Sequence, residues 1–123
     1  MSFEFKEDQP IYRQLRDHMA RAIINGSMKE GDALPSVRTV AVDFQVNPLT
    51  ASKAYQELVG EELVEKKRGL GMYIVEGARN KLLGAEQKQF LDNEWPAVLK
   101  RIQALEIDQN KLLASLTSAK NRK

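Results

Sequence analysis

Arg38, Asn47, Thr50, Ser52 and Lys53, followed downstream by Lys66-Lys67-Arg68-Gly69, are the residues of this chain whose types and spacing suit a chemistry. That chemistry is recognition. Guanidinium and ammonium groups meet anionic oxygens, while short hydroxyl and amide side chains reach hydrogen-bonding edges. Bond making is not suggested. Cysteine is absent, which excludes a thiol nucleophile, a disulfide and a thiolate metal site. His18 is the only histidine, and no paired carboxylates, Gly-rich phosphate loop or metal-ligand spacing accompanies it. The expectation is a non-enzyme without cofactor or metal, with His18 a partly exposed surface residue.

Net charge adds nothing to this argument. Residues 1–76 hold ten Lys/Arg against twelve Asp/Glu, and residues 77–123 hold nine against five. The part carrying the recognition residues is slightly acidic, so the electrostatic case rests on where charges sit. At 123 residues there is room for one domain and a short appendage. The sequence shows no apolar run of membrane-spanning length and no basic-then-apolar leader, and it reads as cytoplasmic with no membrane partner.

The elements that must position these residues are legible in turn. An arm containing Phe3 and Phe5 leads to Pro10, which suits the first turn of a helix, and Ile11, Leu15, Met19, Ala22 and Ile23 recur at helical spacing up to Asn25-Gly26. Residues 27–35 form a connector. Ser36 is the N-cap of a second helix with Val37, Val40, Ala41 and Phe44 on one face. After a tight turn, Asn47-Pro48 starts a third helix, N-cap then proline at the first helical position, with Ala51, Ala54, Tyr55 and Leu58 as its buried stripe. Leu63 to Lys67 and Met72 to Glu76 are β-prone runs joined by Arg68-Gly69-Leu70-Gly71, which predicts a hairpin. The fold class is mainly α with a small β-hairpin: an N-terminal winged helix-turn-helix over residues 1–76 and a short C-terminal helical dimerisation segment over 77–123.

Leu49 is the odd residue among the candidates. At the exposed start of the third helix it is either a singly exposed leucine, which needs no explanation, or a contact to a thymine methyl. Arg38 sits in the first turn of its helix, where the dipole disfavours a cation. Contact with DNA would offset that mismatch, and ion pairing with Asp43 or Glu57 is the alternative.

Leu34-Pro35-Ser36-Val37-Arg38, Val46-Asn47-Pro48-Leu49-Thr50, Ala54-Tyr55-Gln56-Glu57-Leu58 and Arg68-Gly69-Leu70-Gly71 together resemble the GntR family of regulators. The Asn-Pro pair, the Ala-Tyr-Gln-Glu-Leu run and Pro10-Ile11-Tyr12 are similar to its YtrA subfamily. The resemblance covers residues 10–76. It implies a homodimeric repressor on double-stranded, pseudo-palindromic operator DNA. The DNA-binding residues it implies are Ser36 and Arg38 on the bracing helix, Asn47, Leu49, Thr50, Ser52 and Lys53 on the recognition helix, and Lys67, Arg68 and Gly69 at the wing. Leu49, Ser52 and Leu70 depart from the family's usual Asn, Gln and Lys, so the operator should differ from that of a typical member. Gln45 and Glu62 stand where Gly is usual, and a left-handed backbone there costs about 1 kcal/mol each.

Beyond Gly77 helical spacing resumes, and Pro96 either starts a new helix or kinks a continuous one. Leu91, Trp95, Leu99, Ile102, Leu105 and Leu112 are the expected dimer interface, with a helical hairpin broken near Asp108 preferred over a continuous coiled coil. A small-molecule effector would have to sit at that interface, since the tail is too short to enclose one. The competing function is a winged-helix module that binds protein instead of nucleic acid, which the acidic balance of residues 1–76 favours and the clustered cations oppose.

Overall fold

The computed structural model describes residues 5–120; Phe3 of the expected arm and residues 121–123 lie outside them. Helix α1 spans Ile11–Asn25, α2 Val37–Phe44 and α3 Pro48–Gly60, followed by strands β1 (Val64–Lys67) and β2 (Gly71–Ile74). Pro10 is the N-cap of α1, its ψ of 142° leaving the carbonyl free to accept from Arg13 and Gln14 at 3.2 and 3.3 Å. Buried Gln14 anchors the preceding segment: its Oε1 accepts from the Lys6 N–H, and its amide donates to the carbonyls of Lys6 and Gln9.

One core joins these elements. Leu15, Met19 and Ile23 of α1, Val40 and Ala41 of α2, and the predicted stripe Ala51, Ala54, Tyr55 and Leu58 of α3 are buried together with Leu63, Val64 and Ile74. A fully buried Leu or Ile contributes about 1.5–3 kcal/mol, so this stripe fixes the rotation of α3 about its own axis. Alanines at two of its four positions let the neighbouring helices approach closely.

The hairpin is antiparallel, with Val64 opposite Ile74 and Lys67 opposite Gly71. Gly69 supplies the positive φ of 78° at its tip, where the Leu70 N–H donates to the Lys67 carbonyl at 2.9 Å. The connector does more than connect. Gly31 and Leu34 donate to Ile74 and Met72 at 2.8 Å, Ile74 donates back to Asp32 at 3.0 Å, and Ala33 bridges Tyr73. It thus pairs with the free edge of β2 through a single bridge, beside the two-stranded sheet. Its Gly-Asp-Ala-Leu-Pro sequence has no strand-like alternation, so the pairing is imposed by β2 from some forty residues away.

Three helices end in the same way. Past α2, α3 and α5 (Trp95–Ala104), a left-handed residue is followed by a hydrophobe: Gln45-Val46, Glu62-Leu63 and Glu106-Ile107, with φ of 56°, 62° and 52° at the first of each pair. The second residue's N–H reaches back to Ala41, Leu58 and Ile102, and the first's to Val42, Val59 and Gln103, which is the Schellman pattern. The two glycine-replacing positions of the sequence reading are therefore left-handed.

The first compact unit closes between Gly84 and Ala85, not after Glu76. Helix α4 (Ala78–Gln89) begins inside it, with Ala78 and Leu82 buried in the core. Glu30 caps this helix by accepting from the Arg79 N–H at 3.0 Å, and Arg79 Nε donates to the Ile24 carbonyl at 2.8 Å. Backbone N–H groups of Gly77 and Arg79 hold the Glu30 carboxyl below its ordinary pKa.

In the second unit a π-helical turn, Phe90–Glu94, precedes α5. Trp95 donates to the Phe90 carbonyl five residues back, and the widened turn suits Pro96, which has no N–H and whose ring would clash with a carbonyl four residues back. The helix breaks after Ala104 and restarts as α6, Gln109–Lys120, with Asp108 Oδ1 accepting from the Asn110 N–H at 3.1 Å. From Ala85 to Lys120 no residue is buried. No helix among the described residues is long and apolar enough to cross a membrane.

Gln45→Gly and Glu62→Gly should each raise stability by about 0.5–1 kcal/mol, relief of left-handed strain minus the greater chain entropy of glycine. Denaturant unfolding of the single and double variants checks this, with additive shifts in midpoint expected.

Candidate nucleic-acid interface

The start of α3 is held tightly. Asn47 Oδ1 accepts from the Leu49 N–H at 2.8 Å, and Pro48 occupies the first helical position, where its missing N–H is not needed. Asn47 is thereby a cap, with its amide N–H groups unused among the described residues. Tyr55, fully buried, donates its hydroxyl to the Pro35 carbonyl at 2.6 Å and so ties α3 to the residue before the α2 cap. Burial pushes the Tyr55 phenol well above its ordinary pKa, so it remains a donor at any physiological pH. At the other end of α3, Arg16 of α1 grips Glu61 through both carboxylate oxygens, Nε to Oε2 at 2.8 Å and Nη2 to Oε1. That hydrogen bonding raises the Arg16 pKa further.

With one side of α3 buried and both ends tied, its opposite side is bare. Leu49, Lys53 and Gln56 are exposed and fall on one helical stripe, while Thr50 and Ser52 flank it half-buried. Gln56 was not among the expected contacts. Its spacing from Leu49 and Lys53 on the helix was the available signal. Lys53 Nζ lies 4.1 Å above the Tyr12 ring, a cation–π contact that holds the ammonium toward α1.

On α2, Ser36 Oγ accepts from the Thr39 N–H at 3.1 Å and lies 2.9 Å from the Thr39 hydroxyl, so its oxygen serves the helix cap. Arg38 is exposed and makes no ion pair among the described residues, neither with Asp43 nor with Glu57. An unpaired guanidinium in a first helical turn is electrostatically unfavourable until an anion meets it.

The wing separates its two lysines. Lys66 shares a hairpin face with Val64 and Met72 and lines a groove with Pro35, Ser36 and Val37. Lys67 lies on the other face, its Nζ 4.6 Å over the Tyr73 ring and 3.8 Å from Glu65 Oε1. Lys66 is thus the wing cation beside the start of α2, and strand alternation from buried Val64 would have indicated it. Arg68, Gly69 and Leu70 form the exposed tip.

The expected dimer residues all fall in the second unit. Leu91 lies on the π turn, Trp95, Leu99 and Ile102 on α5, Leu105 at its end and Leu112 on α6. Leu91, Leu99 and Leu105 are exposed and the others half-buried. Among the described residues no group of His, Asp or Glu is placed to hold a metal ion. His18 packs edge-on against Phe44 with ring centroids 5.1 Å apart, and burial lowers its pKa.

Residues 11–74 match the model of the bacterial regulatory proteins, gntR family. The HTH-type transcriptional repressor YtrA of Bacillus subtilis is 45% identical over 78 residues, 63% of this chain and 60% of that protein. The HTH-type transcriptional regulator YhcF of the same organism is 37% identical over 63% of this chain and 64% of its own length. The match therefore spans under two thirds of these curated relatives. A GntR family transcriptional regulator from Listeria monocytogenes superposes with a TM-score of 0.73 at 31% identity, covering 93% of this chain and 98% of that one.

Tyr55→Phe removes the hydroxyl donor to the Pro35 carbonyl while leaving the ring in place. A loss of about 1 kcal/mol in urea unfolding is expected, with increased amide exchange in the first turn of α2 as the local readout.

Proposed function

The chain belongs to the GntR family of bacterial regulatory proteins, and from that premise we propose that it is a transcription regulator, a repressor, that binds double-stranded operator DNA as a homodimer. The observation that carries this reading is the exposed Arg38, without an ion pair among the described residues, on the helix that directly precedes α3 and its bare N-terminal stripe. A helix entering the major groove presents its first turns to base edges while the preceding helix meets the backbone. Arg38 and Lys53 then contact phosphates, Lys53 leaving the Tyr12 ring to do so. Asn47, Leu49, Thr50 and Ser52 face the bases, Ser36 lies at the backbone, and Arg68, Gly69 and Lys66 form the wing contact. Lys67 belongs to this contact too once it leaves the Tyr73 ring and Glu65, and Lys66 joins it because it lines the groove beside the start of α2. The curated relative named a repressor supports the direction of regulation.

The tail supports the dimer. A segment with no buried residue but with Leu91, Trp95, Leu99, Ile102, Leu105 and Leu112 along it gains burial against the same residues of a second copy, an isologous contact. Two heads then engage half-sites about one helical turn apart, which multiplies the limited affinity of a single module.

Binding to duplex DNA should weaken steeply as salt rises, because each neutralised phosphate releases counterions; no binding even at low salt would favour the protein-interaction module. Arg38→Ala should cost about tenfold or more in DNA affinity and leave the sedimentation of the dimer unchanged. Trp95→Ala should shift sedimentation toward monomer and weaken DNA binding in parallel. Wild-type affinity in Arg38→Ala would remove the role assigned to it.

A further inference from the structure

We infer that Leu49 selects a thymine in each half-site by packing on its 5-methyl group, so that the protein reads a methyl where a polar side chain would read a hydrogen-bonding edge. The inference rests on the DNA-binding reading above. Leu49 is 79% exposed, the greatest exposure among the large hydrophobic residues described. It is also held in place: its N–H is taken by Asn47 Oδ1 at 2.8 Å, Pro48 precedes it, and the buried stripe of α3 fixes its direction. With its backbone fixed in this way, the side chain at the second helical position leaves the helix from the same point in every encounter.

The major groove makes the outcome selective by exclusion. Its floor offers polar acceptors and donors for every base, and its one apolar group is the thymine methyl. A leucine pressed over guanine, cytosine or adenine strips water from polar atoms without returning a hydrogen bond, which is unfavourable. Over thymine it exchanges hydration for methyl burial. Thr50 and Ser52, half-buried on the flanks of the same stripe, leave Leu49 as the side chain standing farthest out from this turn. Leu70, 69% exposed, sits at the wing tip and not on the helix assigned to the major groove, so it does not share this role.

The test uses the full chain. A bound duplex is first selected from random-sequence DNA, and its thymines are then replaced one at a time by deoxyuridine, which removes the methyl and nothing else. One position per half-site should weaken wild-type binding about fourfold, the loss expected for one buried methyl. Leu49→Ala should bind the thymine duplex more weakly and show no difference between thymine and deoxyuridine at that position. Its thermal stability should match the wild type, since the side chain lies outside the core. If every deoxyuridine duplex binds like its parent, or if Leu49→Ala keeps the wild-type sensitivity, the inference is overturned while DNA binding stands. If no duplex is selected at all, the DNA-binding reading fails and takes the inference with it.

Discussion

The hydroxyl of Tyr55 donating to the Pro35 carbonyl is the contact through which the two helices of the candidate interface share one frame. Tyr55 is wholly buried, so its ring cannot move without opening the core, and the carbonyl it holds belongs to the residue just before the α2 cap. The start of α2, where Arg38 sits, is thereby referenced to the middle of α3. The Arg16 to Glu61 pair adds a tie at the far end of α3. It contributes by its geometry: a bidentate fork has one orientation, and the helix is already committed by its buried stripe. Exposure of one side of α3 follows from burial of the other.

Local signals explain what was legible. Ser36, Asn47 and Pro48 act within their own turn, and each performs the capping or starting role its type suggests. The stripe of α3 needs only a helical period. What stayed hidden depends on partners distant in sequence. The connector bonds along the edge of β2 because β2 presents Met72 and Ile74 to it, and Glu30 becomes the cap of a helix that starts nearly fifty residues later. The division between head and tail moved for the same reason, since Ala78 and Leu82 look like the start of a tail until the core they fill is known. Lys66 and Lys67 are a different case: alternation from Val64 distinguishes them, whereas basic character alone does not.

Capping also separates two roles that a motif merges. Ser36 and Asn47 belong to the recognition pattern, yet both spend an oxygen on the backbone. What each can offer a partner is what the cap leaves over, such as the amide N–H groups of Asn47. The residues with free functional groups, Arg38 above all, are those the fold does not need.

Between α5 and α6 the chain turns without glycine or proline, through Leu105-Glu106-Ile107-Asp108. A glycine would end the helix by itself; here the ending is made by two backward hydrogen bonds, the Asp108 cap and a left-handed glutamate whose strain is about 1–2 kcal/mol. The turn therefore rests on backbone hydrogen bonds and the Asp108 cap, and a glycine at Glu106 would relieve its strain without changing its path.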